Sequence, residues 1–304
     1  MNGPVDRVRV AVRRFLAEHR PEELTVAVSG GADSLALAAV TARLRPGTRA
    51  VVVDHGLQED SATVAARAAA TCTDLGLRAE VRTVVVDGPG GPEAAARRAR
   101  YAALRPERGL VLLGHTLDDQ AETVLLGLGR GSGPRSIAGM RAFDPPWGRP
   151  LLGVSRADTA AACAELGLTP WVDPHNADPA YTRVRLRTEV LPLLEDVLQG
   201  GVADALARTA AQLREDCDAL DELARSHPGD PRDAKELADL PTALRRRVLR
   251  LWLLDEGVPE LSDSHLRRVD ALVAEWHGQG GVWLPGGFVA RRAHGRLRVE
   301  PVQS

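Results

Sequence analysis

The sequence predicts an α/β protein: a doubly wound parallel sheet, then a second, smaller, mainly helical C-terminal domain. Three observations carry that expectation. Short apolar strands alternate with helical segments through the first half of the chain. The first strand ends in Ser29-Gly30-Gly31-Ala32-Asp33-Ser34, and an Ala- and Leu-rich helical segment follows at once. Near Gln199-Gly200-Gly201 the alternation stops, which puts the boundary between residues 1–199 and 200–304.

The elements follow in order. Val5 to His19 has the pattern of an amphipathic, Arg-bearing helix without a signal-peptide apolar core, so secretion is not expected. Val26 to Val28 is a strand with a helix behind it to about Leu44, and Ala50 to Val53 a strand followed by a helix from Ser61 to Leu75. Val81 to Val86 leads to a helix over Pro92 to Leu104, and Leu110 to Leu113 to one over Leu117 to Leu128. Short, wholly apolar strands suit a parallel sheet covered on both faces. Gly88 to Pro92 is a plain connector. Gly127 to Gly139 holds five glycines with Arg130, Pro134 and Arg135, and suggests a mobile lid or binding loop. Tyr181 to Arg187 leads into Val190 to Leu194 as a helix entering the core with one charged face. Beyond the boundary come helices over Val202–Ser226, Leu240–Glu256 and Ser262–Trp276. Strands over Gly281–Leu284, Gly287–Arg292 and Arg296–Val299 close the chain.

Bulk composition excludes several classes. The 304 residues are 44% hydrophobic and 26% charged, and no apolar run approaches the roughly 20 residues of a membrane span. Cys72, Cys163 and Cys217 stand far apart with no C-x-x-C, which argues against a disulfide framework, a zinc ribbon or an iron–sulfur site. A reducing cytoplasm fits. A net charge of −2 gives no global attraction to nucleic acid. Lys235 is the only lysine, so phosphate contacts fall to arginine.

Three strand ends collect the chemistry. Ser29, Gly30, Gly31, Ala32, Asp33 and Ser34 have the layout of a phosphate cradle: two glycines expose backbone N–H groups, and the next helix offers its positive end. Asp33 is placed to hold a cation or orient a reacting group. Neither a Lys-Ser/Thr P-loop nor G-x-G-x-x-G is present. Asp54 and His55 close the second strand. Gly114 and His115 precede Asp118, Asp119 and Glu122; on a helix His115, Asp119 and Glu122 would share one face. Helix-dipole capping accounts for part of that acidity. The rest suits Mg²⁺, an ammonium group, or both. Arg97 and Arg100 are i, i+3 neighbours beside Tyr101, able to engage phosphate or base together, although a solvated basic face has the same composition.

Ser29–Ser34 matches the S-G-G-x-D-S signature of the PP-loop ATP pyrophosphatases, which split ATP into AMP and pyrophosphate. With His115 to Thr123, Arg130-Gly131-Ser132-Gly133, Arg149-Pro150-Leu151-Leu152 and Asp173 to Arg187, the chain resembles the tRNA(Ile)-lysidine synthases from about Leu24 to Leu194. Gln58, Ser136-Ile137 and Val184 depart from that family's usual residues. The resemblance implies a cytoplasmic ligase that uses ATP and Mg²⁺ and joins free L-lysine to C2 of the wobble cytidine of an isoleucine tRNA with a CAU anticodon. It also admits a homodimer. Carried over residue by residue, Asp33 would hold the metal, while Asp119 and Glu122 would bind the lysine ammonium and take its proton. Arg97, Arg100 and Arg187 would stabilise phosphate charge. Beyond the resembling stretch, Arg245, Arg246, Arg247 and Arg250 share a helix whose apolar positions leave most guanidiniums in solvent, either to grip tRNA or as a solvated face with intrahelical pairing. Another PP-loop tRNA-modifying enzyme and a non-catalytic nucleotide-binding module remain alternatives.

Overall fold

The computed structural model describes residues 3–58, 60–88, 91–131, 133–174 and 178–302. Pro89-Gly90 of the connector, and Ser132, His175, Asn176 and Ala177 of the motifs, lie outside them. The chain divides into two compact units, Met1–Leu125 with Met140–Arg208, and Leu126–Gly139 with Thr209–Ser304.

The first unit opens with α1 (Pro4–His19), whose Val5, Val8, Val12 and Phe15 are buried at helical spacing. Then come β1 (Leu24–Val28), α2 (Ala32–Leu44), β2 (Arg49–Asp54), α3 (Ser61–Asp74), β3 (Arg78–Thr83), α4 (Gly91–Leu104) and β4 (Leu110–Leu112). Helix α5 (Leu117–Arg130) begins here and ends in the second unit, to which the one-turn α6 (Pro134–Ile137) belongs. Two short strands, β5 (Phe143–Asp144) and β6 (Trp147–Gly148), precede α7 (Arg156–Glu165), α8 (Thr182–Arg185), a π-helical turn over Leu186–Val190 and α9 (Leu191–Val197).

The sheet order is β3-β2-β1-β4-β6-β5, parallel except for the β5–β6 pair. From β1 the chain winds outward to β2 and β3, then crosses back to β4 on the other side. That reversal opens a crevice beyond the carboxyl ends of β1 and β4, where ligands collect in such sheets. One buried cluster joins α1, α2, α3 and α7 to β1, β2 and β4; a second gathers Val51, Leu104, Val111 and Leu113 with Tyr101 and Trp147. Helices on both faces explain why the central strands are continuously apolar.

Strand β3 occupies Arg78–Thr83 and not Val81–Val86. It is an edge strand with no wholly buried residue, and Val85, past its end, is 83% exposed. Apolarity therefore marks the wrong stretch. The segment expected to enter the core as a helix does so only at Val184 and Leu191; Leu193, Val197 and Leu198 are exposed.

In the second unit, α10 (Val202–Arg225, begun in the first unit), α11 (Ala234–Ala238), α12 (Thr242–Asp255) and α13 (Asp263–Ala274) accompany an antiparallel sheet, β7 (Val282–Leu284), β8 (Phe288–Ala293) and β9 (Arg296–Pro301). Leu249, Trp252, Leu253, Leu272, Ala290 and Leu297 belong to its core. The expected lid is anchored there: Arg135 Nη2 reaches Asp221 Oδ1 at 2.5 Å, and Arg214 Nη2 donates to Ala138 O at 2.7 Å.

The basic helix is corrected too. Arg245 is buried and donates to Asp270 Oδ1 at 2.6 Å, Arg246 to Asp270 Oδ2 at 2.8 Å, and Arg247 to Asp221 Oδ1 at 3.0 Å. Arg250 reaches Leu261 O at 3.4 Å. Asp270 and Asp221, supplied by other helices, draw in guanidiniums expected in solvent.

Candidate active site

Gly31 is the N-cap of α2 and has no side chain to cap it, so the first-turn N–H groups of Ala32, Asp33 and Ser34 have no partner within the helix. Gly30 takes φ +85°, a conformation that favours glycine. Ser34 Oγ ties the turn together: it donates to Gly31 O at 2.9 Å and accepts from Ser29 N at 3.1 Å. Trp171 N donates to Gly30 O at 2.9 Å from behind. A backbone anion cradle results.

The β4 end meets this cradle at Gly114. A Cβ there would stand 3.1 Å from both Asp33 C and Ser34 N, so the two strand ends approach backbone to backbone. His115 lies just before α5 and not on it, contrary to the shared-face expectation. Asp119 still comes close, because its Oδ2 accepts from Thr116 N at 2.8 Å and from Thr116 Oγ1 at 3.0 Å, turning back over the helix start. Capping is thus one of Asp119's two tasks.

The other task involves a residue that the sequence reading passed over. Arg156, the first residue of α7, points the three nitrogens of its guanidinium at three carboxylates. Nη2 lies 2.8 Å from Asp119 Oδ1, Nη1 3.5 Å from Glu122 Oε1 and Nε 3.7 Å from Asp33 Oδ2. Its backbone N donates to Asp118 Oδ2 at 2.7 Å. Glu122 is wholly buried, with Arg187 Nε at 2.9 Å and Arg183 Nη1 at 3.6 Å. Its Oε2 accepts no hydrogen bond. Arg183 and Arg187, one turn apart across the start of the π-helical stretch, both turn inward and not to solvent as an isolated surface helix would have them. Ser155, whose Oγ caps α7 by accepting from Asp158 N at 3.1 Å, was the available signal for Arg156.

Burial strains these charges. It raises the Asp33 carboxyl above its ordinary range, although a Thr159 Oγ1 hydrogen bond and Arg156 pull the other way. Burial also works to raise Asp119, but Arg156, the Thr116 hydrogen bonds and His115 outweigh it, and its pKa falls. Burial lowers Arg156 less than its four carboxylate neighbours raise it. His115 is pushed down to about 4, by burial first and then, against the pull of Asp119, by Arg149, Arg100 and Arg97, so the imidazole is neutral near pH 7. Its Nδ1 and the Nε of Arg149 are both buried without a hydrogen bond.

Arg97 and Arg100 lie 4.8 and 5.8 Å from the Tyr101 ring centre, and that ring meets Trp147 edge-on. Burial lowers the Arg100 pKa. At the β2 end, Asp54 is buried and its Oδ1 accepts from Gly56 N at 3.0 Å, a turn-making contact. His55 beside it is half-buried, and burial and Arg100 lower its pKa. Among the described residues no group of three or more His, Cys, Asp or Glu side chains could hold a metal ion by itself. Asp33 Oδ2 nevertheless lies beyond hydrogen-bond reach of its neighbours. That oxygen, 3.7 Å from Arg156 Nε, would suit Mg²⁺ that arrives with phosphate ligands.

Residues 5–194 match the PP-loop domain family and residues 233–298 the TilS substrate binding domain family. The chain is 62% identical to the tRNA(Ile)-lysidine synthase of Mycolicibacterium paratuberculosis over 99% of both chains. It is 60% identical to that of Nocardia farcinica over 96% of this chain and 97% of the relative. Among solved structures, the U34-tRNA thiolase NcsA from Methanococcus maripaludis with its [4Fe-4S] cluster aligns with TM-score 0.59 at 18% identity, covering 70% of this chain and 79% of that one. That likeness is one of fold.

Proposed function

We infer the reaction from this premise: the chain belongs to the tRNA(Ile)-lysidine synthase family. It is a ligase that uses ATP and forms a carbon–nitrogen bond, making lysidine on isoleucine tRNA. The finer assignments rest on the crevice between β1 and β4. There an anion cradle stands beside two carboxylates, the partly buried Asp119 and the wholly buried Glu122, and Arg156 links cradle and carboxylates.

In the first step O2 of the wobble cytosine attacks the α-phosphorus of ATP, and the bond to pyrophosphate breaks. The first-turn N–H groups of α2, those of Ala32, Asp33 and Ser34, take up the phosphate charge. Arg97 and Arg100 are assigned to the same charge from α4. Asp33 would hold Mg²⁺, which would supply charge neutralisation at the phosphates. Asp54 and His55 border the nucleotide at the β2 end, with Gly114 and neutral His115 at the β4 end.

In the second step the ε-amine of free lysine attacks C2 and AMP leaves with the activated oxygen. Asp119 and Glu122 bind the ammonium and accept its proton, since only the neutral amine is nucleophilic. Arg187 fixes Glu122 and supports the departing phosphate. The base must leave its anticodon stack to be reached. Residues 1–199 would carry this chemistry and 200–304 hold the tRNA.

Among the described residues no helix is long and apolar enough to cross a membrane; we place the enzyme in the cytoplasm with its tRNA substrate. Exposed Leu193, Val197 and Leu198 offer an apolar contact for a homodimer, whose mass light scattering would show. The decisive assay is incubation with labelled lysine, ATP and total tRNA. The expected result is label in isoleucine tRNA with AMP and pyrophosphate released. Release of pyrophosphate without lysine incorporation would overturn the lysine assignment.

A further inference from the structure

Four carboxylates, Asp33, Asp118, Asp119 and Glu122, face three guanidiniums, Arg156, Arg183 and Arg187, in the β1/β4 crevice. These seven side chains carry one more negative than positive charge, and Glu122 Oε2 accepts no hydrogen bond, its nearest cation being Arg183 at 3.6 Å. Such a cluster attracts a further cation. Yet Asp119 Oδ1 already faces Arg156 at 2.8 Å, and Glu122 Oε1 faces both Arg187 Nε at 2.9 Å and Arg156 Nη1 at 3.5 Å. Arg183 and Arg187 hold Glu122 from the far segment, whereas Arg156 alone also reaches Asp33 beside the cradle. Its side chain is 26% exposed, so it has room to move.

We propose that Arg156 is a positioning residue that stands in for the substrate ammonium and makes lysine binding depend on nucleotide. This rests on the assignment of Asp119 and Glu122 as the ammonium site. In the free enzyme the guanidinium fills that site. Triphosphate in the Ser29–Ser34 cradle offers stronger, bidentate anionic partners next to Asp33, and Arg156 swings toward them. Asp119 Oδ1 then loses its closest cation and takes the lysine ammonium, beside a Glu122 carboxylate that Arg187 and Arg183 continue to hold. The order protects the chemistry: the amine is admitted only where an activated phosphate ester can form.

A second consequence follows from linkage. If nucleotide tightens lysine by some factor, lysine tightens nucleotide by the same factor. Attraction between phosphates and ammonium adds a direct part to that coupling that does not pass through Arg156. The diagnostic is therefore the part lost when Arg156 is neutralised.

The test measures equilibrium binding of labelled lysine to the full chain with and without α,β-methylene-ATP. Wild type should bind lysine at least about tenfold tighter with the analogue, and R156M should bind it equally well, within two- to threefold, in both states. Should R156M fail to fold, R156K replaces it; a lysine side chain cannot span Asp33, Asp119 and Glu122 together, so the coupling should fall at least threefold. Equal lysine affinity of wild type with and without analogue overturns the proposal, and so does a variant that keeps the full wild-type coupling. Asp119→Asn and Glu122→Gln report on the underlying assignment separately. If lysine binds these variants as it binds wild type, the ammonium site lies elsewhere and the assignment itself has failed.

Discussion

Two arginine–carboxylate clusters in this chain use the same residue types and reach opposite ends. In the second unit each aspartate is saturated: Asp270 receives Arg245 and Arg246, and Asp221 receives Arg135 and Arg247. In the first unit one guanidinium, that of Arg156, is shared among three carboxylates, although Glu122 also meets Arg187 and Arg183. A buried carboxylate held by guanidiniums that serve no other carboxylate acts as a structural tie. A cluster short of cations, with an acceptor oxygen unmet, is incomplete without a ligand. Counting carboxylates per guanidinium separates scaffold from site better than counting charges along the sequence.

The largest expected effect tests the closed cluster. Asp270→Ala leaves Arg245, only 6% exposed, as an unpaired buried charge, and should cost about 3–5 kcal/mol in urea unfolding. The Michaelis constants for ATP and lysine should hold at low temperature. A loss of less than about 1 kcal/mol would show that Asp270 is not the tie the geometry describes.

Asp33→Ala tests the open cluster. Pyrophosphate release should fall about a thousand-fold, the scale of losing one group that stabilises transition-state charge. The melting temperature should hardly move, because Asp33 is partly exposed and Arg156 keeps Asp119 and Glu122. Near wild-type release would remove Asp33 from the phosphate chemistry.

The contrast between the clusters also marks what the sequence could show. Ser29–Ser34, Asp119 and Glu122 were legible because strand, turn and helix follow one another locally, and the cradle is built within six consecutive residues. Alternation gave the sheet for the same reason. Arg156 was not legible: it meets Asp119 and Glu122 from 37 and 34 residues away, and nothing in its own neighbourhood announces them. The burial of Arg245 and Arg247 likewise depends on Asp270 and Asp221, 25 and 26 residues distant. Local pattern fixes elements and motifs; which charge neutralises which is decided by packing. Strand β3 failed for a related reason, since an edge strand need not be apolar.

A third test sharpens the open cluster through pH. The His115 imidazole drops from 6.5 to about 4 in the folded chain, so between those values the unfolded state binds the extra proton. Stability should therefore rise with pH through that window and be lost as pH falls from 6.5 toward 4, by up to about 3 kcal/mol. Asp119, whose folded pKa is also depressed, loses its contribution only below its ordinary 3.8, so the two windows are distinct. In His115→Gln, urea titrations between pH 4 and 6.5 should lose that slope. An unchanged slope would assign it to other groups.

The smallest effect concerns Arg246, the more exposed of the two arginines on Asp270. Its side chain is 30% exposed, whereas that of Arg245 is 7%. Arg246→Ala leaves Asp270 with Arg245 at 2.6 Å, so the tie survives and stability should fall by less than about 1 kcal/mol. Any larger consequence must come from what Arg246 meets in solvent. If it meets a tRNA phosphate, the Michaelis constant for tRNA rises about two- to threefold and the salt slope of binding falls by about one, while those for ATP and lysine stay put. Arg245→Ala cannot show that pattern, because its guanidinium is enclosed; it should lower stability and leave the salt slope alone. Paired tRNA titrations of both variants across a salt series would thus tell the exposed arm of the cluster from its buried one. An unchanged tRNA constant in Arg246→Ala would make the whole cluster a scaffold and move the search for tRNA contacts to other residues of the chain.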